Sequence, residues 1–335
     1  MLDKGEFDFA EGCAVHKSID VFGVGLPQQV IATPGMISIM ERNMLHAFTR
    51  NEYRSDGVII DGGSFFGSSI ASSASGLLAN PGYPEMDFSR FPDNKPIHGY
   101  ELGYLPAPKS DKVDPHRVFN GVEYTLGDSF IPILEKSVKP YEELVSMTIG
   151  DLNDYHWDDT PIEICFIDVC KTGKLNRHVS REFFPHLIPG ASTLINQDFF
   201  FDRLPWIKVT MGYLAEYFEW HGQVYTSSIY RNIKQIPHEV AQYDPYTNGT
   251  LDECLELHNK SPQQFLEPKY RYYLELSKAY LMALKDAKKD ALDYLAKLES
   301  DYEDILNDEE TDRGNQFRMD RARRQITNGN IFKVS

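Results

Sequence analysis

The stretch Val58-Ile59-Ile60-Asp61-Gly62-Gly63-Ser64-Phe65-Phe66-Gly67-Ser68-Ser69 constrains this chain more than any other. An apolar run ends in an acid and two glycines, and a third glycine follows four residues later. Ile70-Ala71-Ser72-Ser73-Ala74-Ser75-Gly76-Leu77-Leu78 continues with small residues and one apolar face. The pattern predicts a buried strand, a tight turn and a helix packed closely on the strand. Glycine suits such a turn because it accepts positive φ and lets a ligand approach the backbone. In open α/β sheets, nucleotide-like ligands bind at the carboxyl end of the strand in such a crossover. A glycine turn with no ligand is the plain alternative, since one glycine motif is weak evidence.

The rest of the chain has room for the core that such a sheet needs. Its 335 residues are 41% apolar and include 20 Phe and 19 Tyr. The formal net charge of −16 argues against a nucleic-acid-binding surface. Cys13, Cys165, Cys170 and Cys254 show no CxxC spacing, and reduced thiols are expected. No signal peptide is read at the start and no run of about 18 apolar residues can span a bilayer, so the expected address is cytoplasmic, with no membrane partner.

Taken in order, residues 1–33 read as an irregular or partner-binding arm. Residues 35–50 carry helical spacing (Met36, Ile37, Met40, Met44, Leu45, Phe48). Strands are predicted at 57–61, 97–101, 145–149, 162–168 and 192–198. Helices are predicted at 67–79, 127–139, 174–187 and 205–221, with a strand or strand pair over 223–233. Residues 84–96 and 105–118 (Leu105-Pro106-Ala107-Pro108-Lys109 and beyond) read as loops. This alternation argues for a mainly parallel sheet covered on both faces. From about 268, Leu274, Leu281, Leu284, Ala291, Leu295, Leu298, Tyr302 and Ile305 recur near heptad spacing, with Lys288 breaking the row. That predicts one long helix of about 50 Å, laid on its own domain or forming a homodimer seam. Arg318, Arg321, Arg323 and Arg324 are expected to pair with nearby acids at a solvated end. The organisation read is an arm (1–33), an α/β domain (34–240) and a helical extension (241–335).

The strand ends carry polar groups in a set order: Asp61 with its glycines, Glu101, Asp151, Asp168 and Asp198. That order resembles class I S-adenosylmethionine-dependent methyltransferases, most closely the macrocin O-methyltransferase family, over residues 34–237. The resemblance implies a Rossmann-like fold with a mainly parallel seven-stranded sheet, here with the long C-terminal helix added. It implies S-adenosyl-L-methionine as cofactor and O-methylation of a small-molecule or glycan hydroxyl. It assigns the cofactor to Asp61, Gly62, Gly63, Ser64, Gly67, Ser68 and Ser69. Glu101 falls where that family holds the ribose hydroxyls, and Gly150 and Asp151 where it flanks the adenine. Asp151 is equally suited to cap a helix.

By the same resemblance, Asp168 lies at the heart of the site, as metal ligand, proton acceptor or both. The family's Asp-Asp-Tyr segment is altered here: Asn196 and Gln197, or Gln197 and Asp198 with Phe199, fall on its positions. Mg²⁺ prefers carboxylates and water. Asp168 with Asp198 can hold it, whereas Asp168 with two amides is a poor site. The expectation is therefore catalysis without a metal, with Asp168 as the base or a substrate-positioning group. His178, His186 and His156 are weaker candidates. Tyr104, Phe199, Phe200, Phe201 and Trp206 are candidate walls for the acceptor. Two other readings stay open. One is a methyltransferase-like binding protein without catalysis. The other is a nicotinamide oxidoreductase, disfavoured because Gly62-Gly63-Ser64-Phe65-Phe66-Gly67 does not match G-x-G-x-x-G.

Overall fold

Strands buried on both faces read as near-continuous apolar runs; those beginning at Val58 and Ile162 lie side by side inside one sheet, and the strand beginning at Val145 closes its edge. The computed structural model describes residues 3–23, 25–108, 114–262, 265–307 and 312–331; Lys109 of the predicted 105–118 loop lies outside them. The strands are β1 (Phe7–Ala10), β2 (Cys13–His16), β3 (Val58–Gly62), β4 (Ile97–Glu101), β5 (His116–Phe119), β6 (Val122–Thr125), β7 (Val145–Ile149), β8 (Ile162–Ile167), β9 (Thr193–Asn196), β10 (Phe218–Val224) and β11 (Ser227–Asn232). The helices are α1 (Gln28–Ala32), α2 (Ile39–Asn51), α3 (Ser68–Leu78), α4 (Ile131–Val138), α5 (Gly173–Phe183), α6 (Pro205–Tyr213), α7 (His238–Gln242), α8 (Pro245–Asn248), α9 (Leu251–Asn259), α10 (Pro268–Leu284), α11 (Lys288–Asp301), α12 (Glu303–Leu306) and α13 (Asp312–Asn328).

The main sheet has nine strands in the order β1-β2-β10-β11-β9-β8-β3-β4-β7. Its β9-β8-β3-β4-β7 part is parallel, as expected. The seven-stranded expectation is corrected by the N-terminal segment, which folds as the β1–β2 hairpin and pairs antiparallel with β10. Strands β10 and β11 form an antiparallel hairpin, and β11 also runs antiparallel to β9. The sheet is therefore mixed.

Alternation along β3 divides the core. Ile59 packs with Met44, Phe48, Ile70 and Ala74 on the face covered by α2 and α3. Val58 and Ile60 join the opposite core with Val179, Phe183, Ile207 and Met211 of α5 and α6. Helix α2 starts at Ser38 in a capping box: the Ser38 hydroxyl accepts from Glu41 N at 3.1 Å, and Glu41 Oε2 accepts from Ser38 N at 2.9 Å.

Three other expectations change. Residues 116–118, the end of the predicted 105–118 loop, belong instead to the β5–β6 hairpin. The helix predicted over 205–221 stops at Tyr213, and Phe218 already begins β10. The long C-terminal helix is broken at Lys285–Ala287, where Asp286 takes φ 64°, so α10 and α11 are separate helices that pack together. The apolar row predicted there is covered within the chain. Leu276, Ala279 and Tyr280 pack with Ala291, Leu295 and Leu298, and with Met319, Ala322 and Ile326 of α13. Leu274 belongs to the main core instead. Among the described residues, no helix is long and apolar enough to cross a membrane.

Leu295 is fully buried in that helical layer. Leu295→Ala should lower unfolding stability by about 2–5 kcal/mol, the usual cost of emptying a leucine site. Chemical denaturation measures this; an unchanged midpoint would contradict the packing described.

Candidate functional site

From β3 the chain steps outward through β4 to β7 and then returns to β8 on the other side of β3. The carboxyl ends of β3 and β8 therefore form the switch point at which open α/β sheets leave a crevice. Asp61, Gly62 and Gly63 stand on one side of it and Asp168 on the other.

Three residues in the turn after β3 have positive φ: Gly63 at 98°, Phe65 at 46° and Gly67 at 96°. A side chain at Gly63 would put its Cβ 2.9 Å from the Asp168 carbonyl oxygen, so glycine is required there. The left-handed Phe65 is costly for a bulky residue. It is held by its N–H, which donates to Glu101 Oε2 at 2.6 Å. Phe65 stacks on Phe66 at 3.8 Å, and both rings meet Phe119 of β5 and Phe130 edge-on. The β5–β6 hairpin thus packs over the glycine turn.

Asp61 is buried beneath this turn. Its Oδ1 accepts from Ser64 Oγ at 3.2 Å, and its buried Oδ2 has no partner at hydrogen-bonding geometry among the described residues. Burial pushes its carboxyl up to about 7, against the pull of the Ser69 and Ser64 hydroxyls and with a further push from Glu101. Ser68 and Ser69, both buried, open α3 behind Gly67, which supplies no side-chain cap. The first N–H groups of α3 therefore lack that partner.

Glu101 ends β4. Its Oε1 accepts from Gly103 N at 3.1 Å and its Oε2 from Phe65 N. Burial raises its titration, and those backbone donors oppose the rise. A carboxylate has about four acceptor sites, so Glu101 can fix the turn and still accept from a ligand. Ile149 pairs with Glu101 across the parallel strands, and both Ile149 and Leu102 are exposed. At Gly150, φ 149°, an added Cβ would meet open space. Asp151 adopts the capping role: its Oδ1 accepts from Asn153 N at 2.9 Å and from Asn153 Nδ2 at 2.8 Å.

Asp168 and Asp198 do come together, but not around a gap for a metal. Lys171 Nζ donates to Asp168 Oδ1 at 2.6 Å and also to Asp198 Oδ2. Burial lifts the Asp168 carboxyl to about 7, with Lys171 opposing the rise and Asp198 adding to it. Gln197 Nε2 donates to Thr226 Oγ1 at 3.1 Å, and Asn196 is buried in β9. The donor set therefore does not fit Mg²⁺, which needs carboxylate and water oxygens around the ion. The arrangement thus gives no support to the alternative in which Asp168 and Asp198 hold a metal. Among the described residues, no group of three or more His, Cys, Asp or Glu side chains is arranged to hold a metal ion.

The histidines lie aside from this cleft. His178 meets Arg181, His156 meets Glu182, and His186 lies 3.6 Å from Asp159. Phe199, Phe200 and Trp206, expected as acceptor walls, are core residues. Phe199 also lines a separate cavity of about 700 Å³ with Trp220, Tyr230 and Lys278. None of the strand-end acids or turn glycines lines that cavity. Tyr104 is exposed and Phe201 partly so.

Sequence reasoning missed four polar residues in and around the cleft. Lys171 lies three residues beyond Asp168, but nothing local marks Asp198 as its second partner. Glu41 is buried, and its Oε1 accepts from Ser227 Oγ at 2.8 Å and from Thr226 Oγ1 at 3.3 Å. Asp202, four residues after Asp198, is fully buried and accepts from Arg318 Nη1 at 2.5 Å and Arg321 Nη2 at 2.7 Å. Lys208 is buried below the same loop and donates to the carbonyls of Phe201 at 2.5 Å and Leu204 at 3.1 Å. The expected pairing of the terminal arginines with acids is present, but it ties α13 to the loop that carries Asp198.

No protein-family model matches the chain, and no curated protein matches it. Among solved structures it is similar to the O-methyltransferase NovP, at 14% identity, over 60% of this chain and 82% of that one, with a TM-score of 0.42.

Removing one partner of a buried ion pair strands the other charge. Asp202→Asn should cost roughly 3 kcal/mol, at the low end of the buried-pair range because both arginines keep some contact with water. Thermal and chemical unfolding test this; a loss under about 0.5 kcal/mol, the scale of an ordinary surface change, would contradict the anchoring role.

Proposed function

We propose that the chain binds S-adenosyl-L-methionine at the carboxyl ends of β3, β4 and β7 and methylates a hydroxyl of a small molecule or glycan. One observation carries the reading: the buried, unpartnered Asp61 oxygen under a glycine turn at the switch point, one strand from Glu101. Burying a carboxylate oxygen without a donor is costly. A ligand with an ammonium group supplies the missing donor.

When bound, the sulfonium supplies the methyl group. In this reading Asp61 and the first turn of α3 hold the amino-acid end, directly or through water. The N-terminus of a helix favours a carboxylate. Glu101 accepts from the ribose hydroxyls, and Leu102 and Ile149 with Gly150 border the adenine. Ser64 fixes Asp61, while Gly62, Gly63 and Gly67 keep the turn low enough for the ligand. The attacking hydroxyl loses its proton to Asp168, whose titration near neutrality suits a base at working pH. The acceptor enters beside Tyr104 and the β5–β6 hairpin. The acidic chain fits neither nucleic acid nor an anionic membrane surface, and a cytoplasmic setting goes with this reading. A homodimer remains part of the proposal only through surfaces other than the α10–α11 row, which is already covered.

The second reading is a binding protein of the same design without catalysis. The ion pair between Asp168 and Lys171 favours it, since a base must be free to take a proton. Turnover over a panel of hydroxyl acceptors separates the two.

The cofactor reading has a pH signature. Asp61 ordinarily titrates at 3.8, but in the folded chain at about 7. Between those values the folded chain holds a proton that the unfolded chain has released, so rising pH costs stability through this group. An ammonium ligand needs the ionised form. Calorimetry with S-adenosylhomocysteine should therefore show affinity rising about tenfold per pH unit towards pH 7 and then levelling. Asp61→Asn should weaken binding and flatten the curve, and Glu101→Ala should cost about 1–3 kcal/mol. A pH-independent wild-type affinity would contradict the role of Asp61.

A further inference from the structure

We propose that the Lys171 ammonium is the resident cation of the Asp168–Asp198 pair and stands where a divalent ion would otherwise sit. Its two partners come from neighbouring parallel strands, Asp168 after β8 and Asp198 after β9. One nitrogen contacts both carboxylates. Two carboxylates converging on one point repel each other unless a positive charge lies between them. A divalent ion would neutralise the pair; the ammonium leaves one negative charge, the charge of a site with a free carboxylate.

The backbone around Lys171 is built to hold it there. Lys171 N donates to Val169 O at 2.6 Å. The preceding Cys170 is buried, and its carbonyl accepts from Trp206 Nε1 at 2.8 Å. The following Thr172 caps α5, its hydroxyl accepting from Leu175 N at 3.0 Å. Both neighbours of Lys171 are thus tied down, while the lysine side chain reaches back across the strand ends. On the far side, Asp198 sits in the loop that Asp202, Arg318, Arg321 and Lys208 hold in place. Lys171 has three donors and the acids take two. Its side chain is half-exposed, so the third is left for an oxygen in the cleft. Lys171 is in this sense a positioning residue that holds Asp168 and Asp198 in register. What it positions them for rests on the methyl transfer proposed above; its place in the acid pair does not.

The test reads metal alone, with no cofactor or acceptor present. The full chain is titrated with Mn²⁺ and free ion is followed by electron paramagnetic resonance. Wild type should show no saturable site that is lost in Asp198→Asn. Lys171→Met empties the space between the acids and should gain one Mn²⁺ site, tighter than any in wild type by at least about tenfold, the scale on which neighbours change metal affinity. Adding Asp198→Asn to that variant should abolish the gain. Lys171→Gln, checked by circular dichroism, serves if the Met variant does not fold. A wild-type Mn²⁺ site lost in Asp198→Asn would overturn the proposal, because the metal would then displace the lysine. A folded lysine variant that gains no site would overturn it too. Neither outcome bears on cofactor binding, which the S-adenosylhomocysteine titration reads separately.

Discussion

The close approach of the turn after β3 to the end of β8 is the contact on which the site depends. Asp168 N donates to Gly62 O at 2.6 Å, and the next glycine leaves no room for a Cβ beside the Asp168 carbonyl. This contact brings Asp61 and Asp168 to one crevice although they lie far apart in sequence. It also forces the chain through left-handed conformations at Gly63, Phe65 and Gly67. Only Phe65 pays a steric penalty there, and the Glu101 carboxylate offsets it by accepting from the Phe65 N–H. Glu101 therefore has a structural task as well as its proposed ligand-binding one. A strained turn that persists because its surroundings over-determine it is what a binding site can exploit.

A second layer supports the first. Asp198 is carried on a loop with little regular structure, yet the loop is pinned from below by Lys208 and from outside by Arg318 and Arg321 through Asp202. The helices after residue 268 are thus more than an appendage beside the sheet. Their apolar faces close on each other, while their charged face reaches the loop next to the strand-end acids. Geometry at the cleft therefore depends on residues more than a hundred positions away in sequence.

How much of this was legible in the sequence depended on whether the signal was local. The bounds of β4 and β7 were readable from short β-prone segments, Ile97–Glu101 and Val145–Ile149, each set between polar or proline-rich stretches. The glycine turn was readable because Gly63 and Gly67 fall where its geometry calls for glycine, though the left-handed Phe65 between them carried no such mark. The β5–β6 hairpin was also legible: Asn120 and Gly121 have φ 49° and 79°, and Asn-Gly is the strongest short hairpin signal. It was missed because the flanking strands are short and polar. The break between α10 and α11 carried no such mark. Lys285-Asp286-Ala287 contains neither glycine nor proline, and the apolar spacing runs through it, since both helices need an apolar face. The Lys171 bridge could not be derived, because it requires knowing that the residues after β8 and β9 meet at one point. Asp202 and its two arginines are hidden for the same reason: pairing over such a separation leaves no local trace.

The central claim is that a ligand with a methionine-like ammonium and a ribose occupies the ends of β3, β4 and β7. A crystal structure of the full chain with S-adenosylhomocysteine tests it most directly. The account predicts the amine at Asp61, the ribose hydroxyls at Glu101 and the adenine beside Leu102 and Ile149, with the backbone of the glycine turn unchanged. The ligand bound in the cavity lined by Phe199, Trp220 and Tyr230 instead, with the Asp61 oxygen still unpartnered, would contradict it.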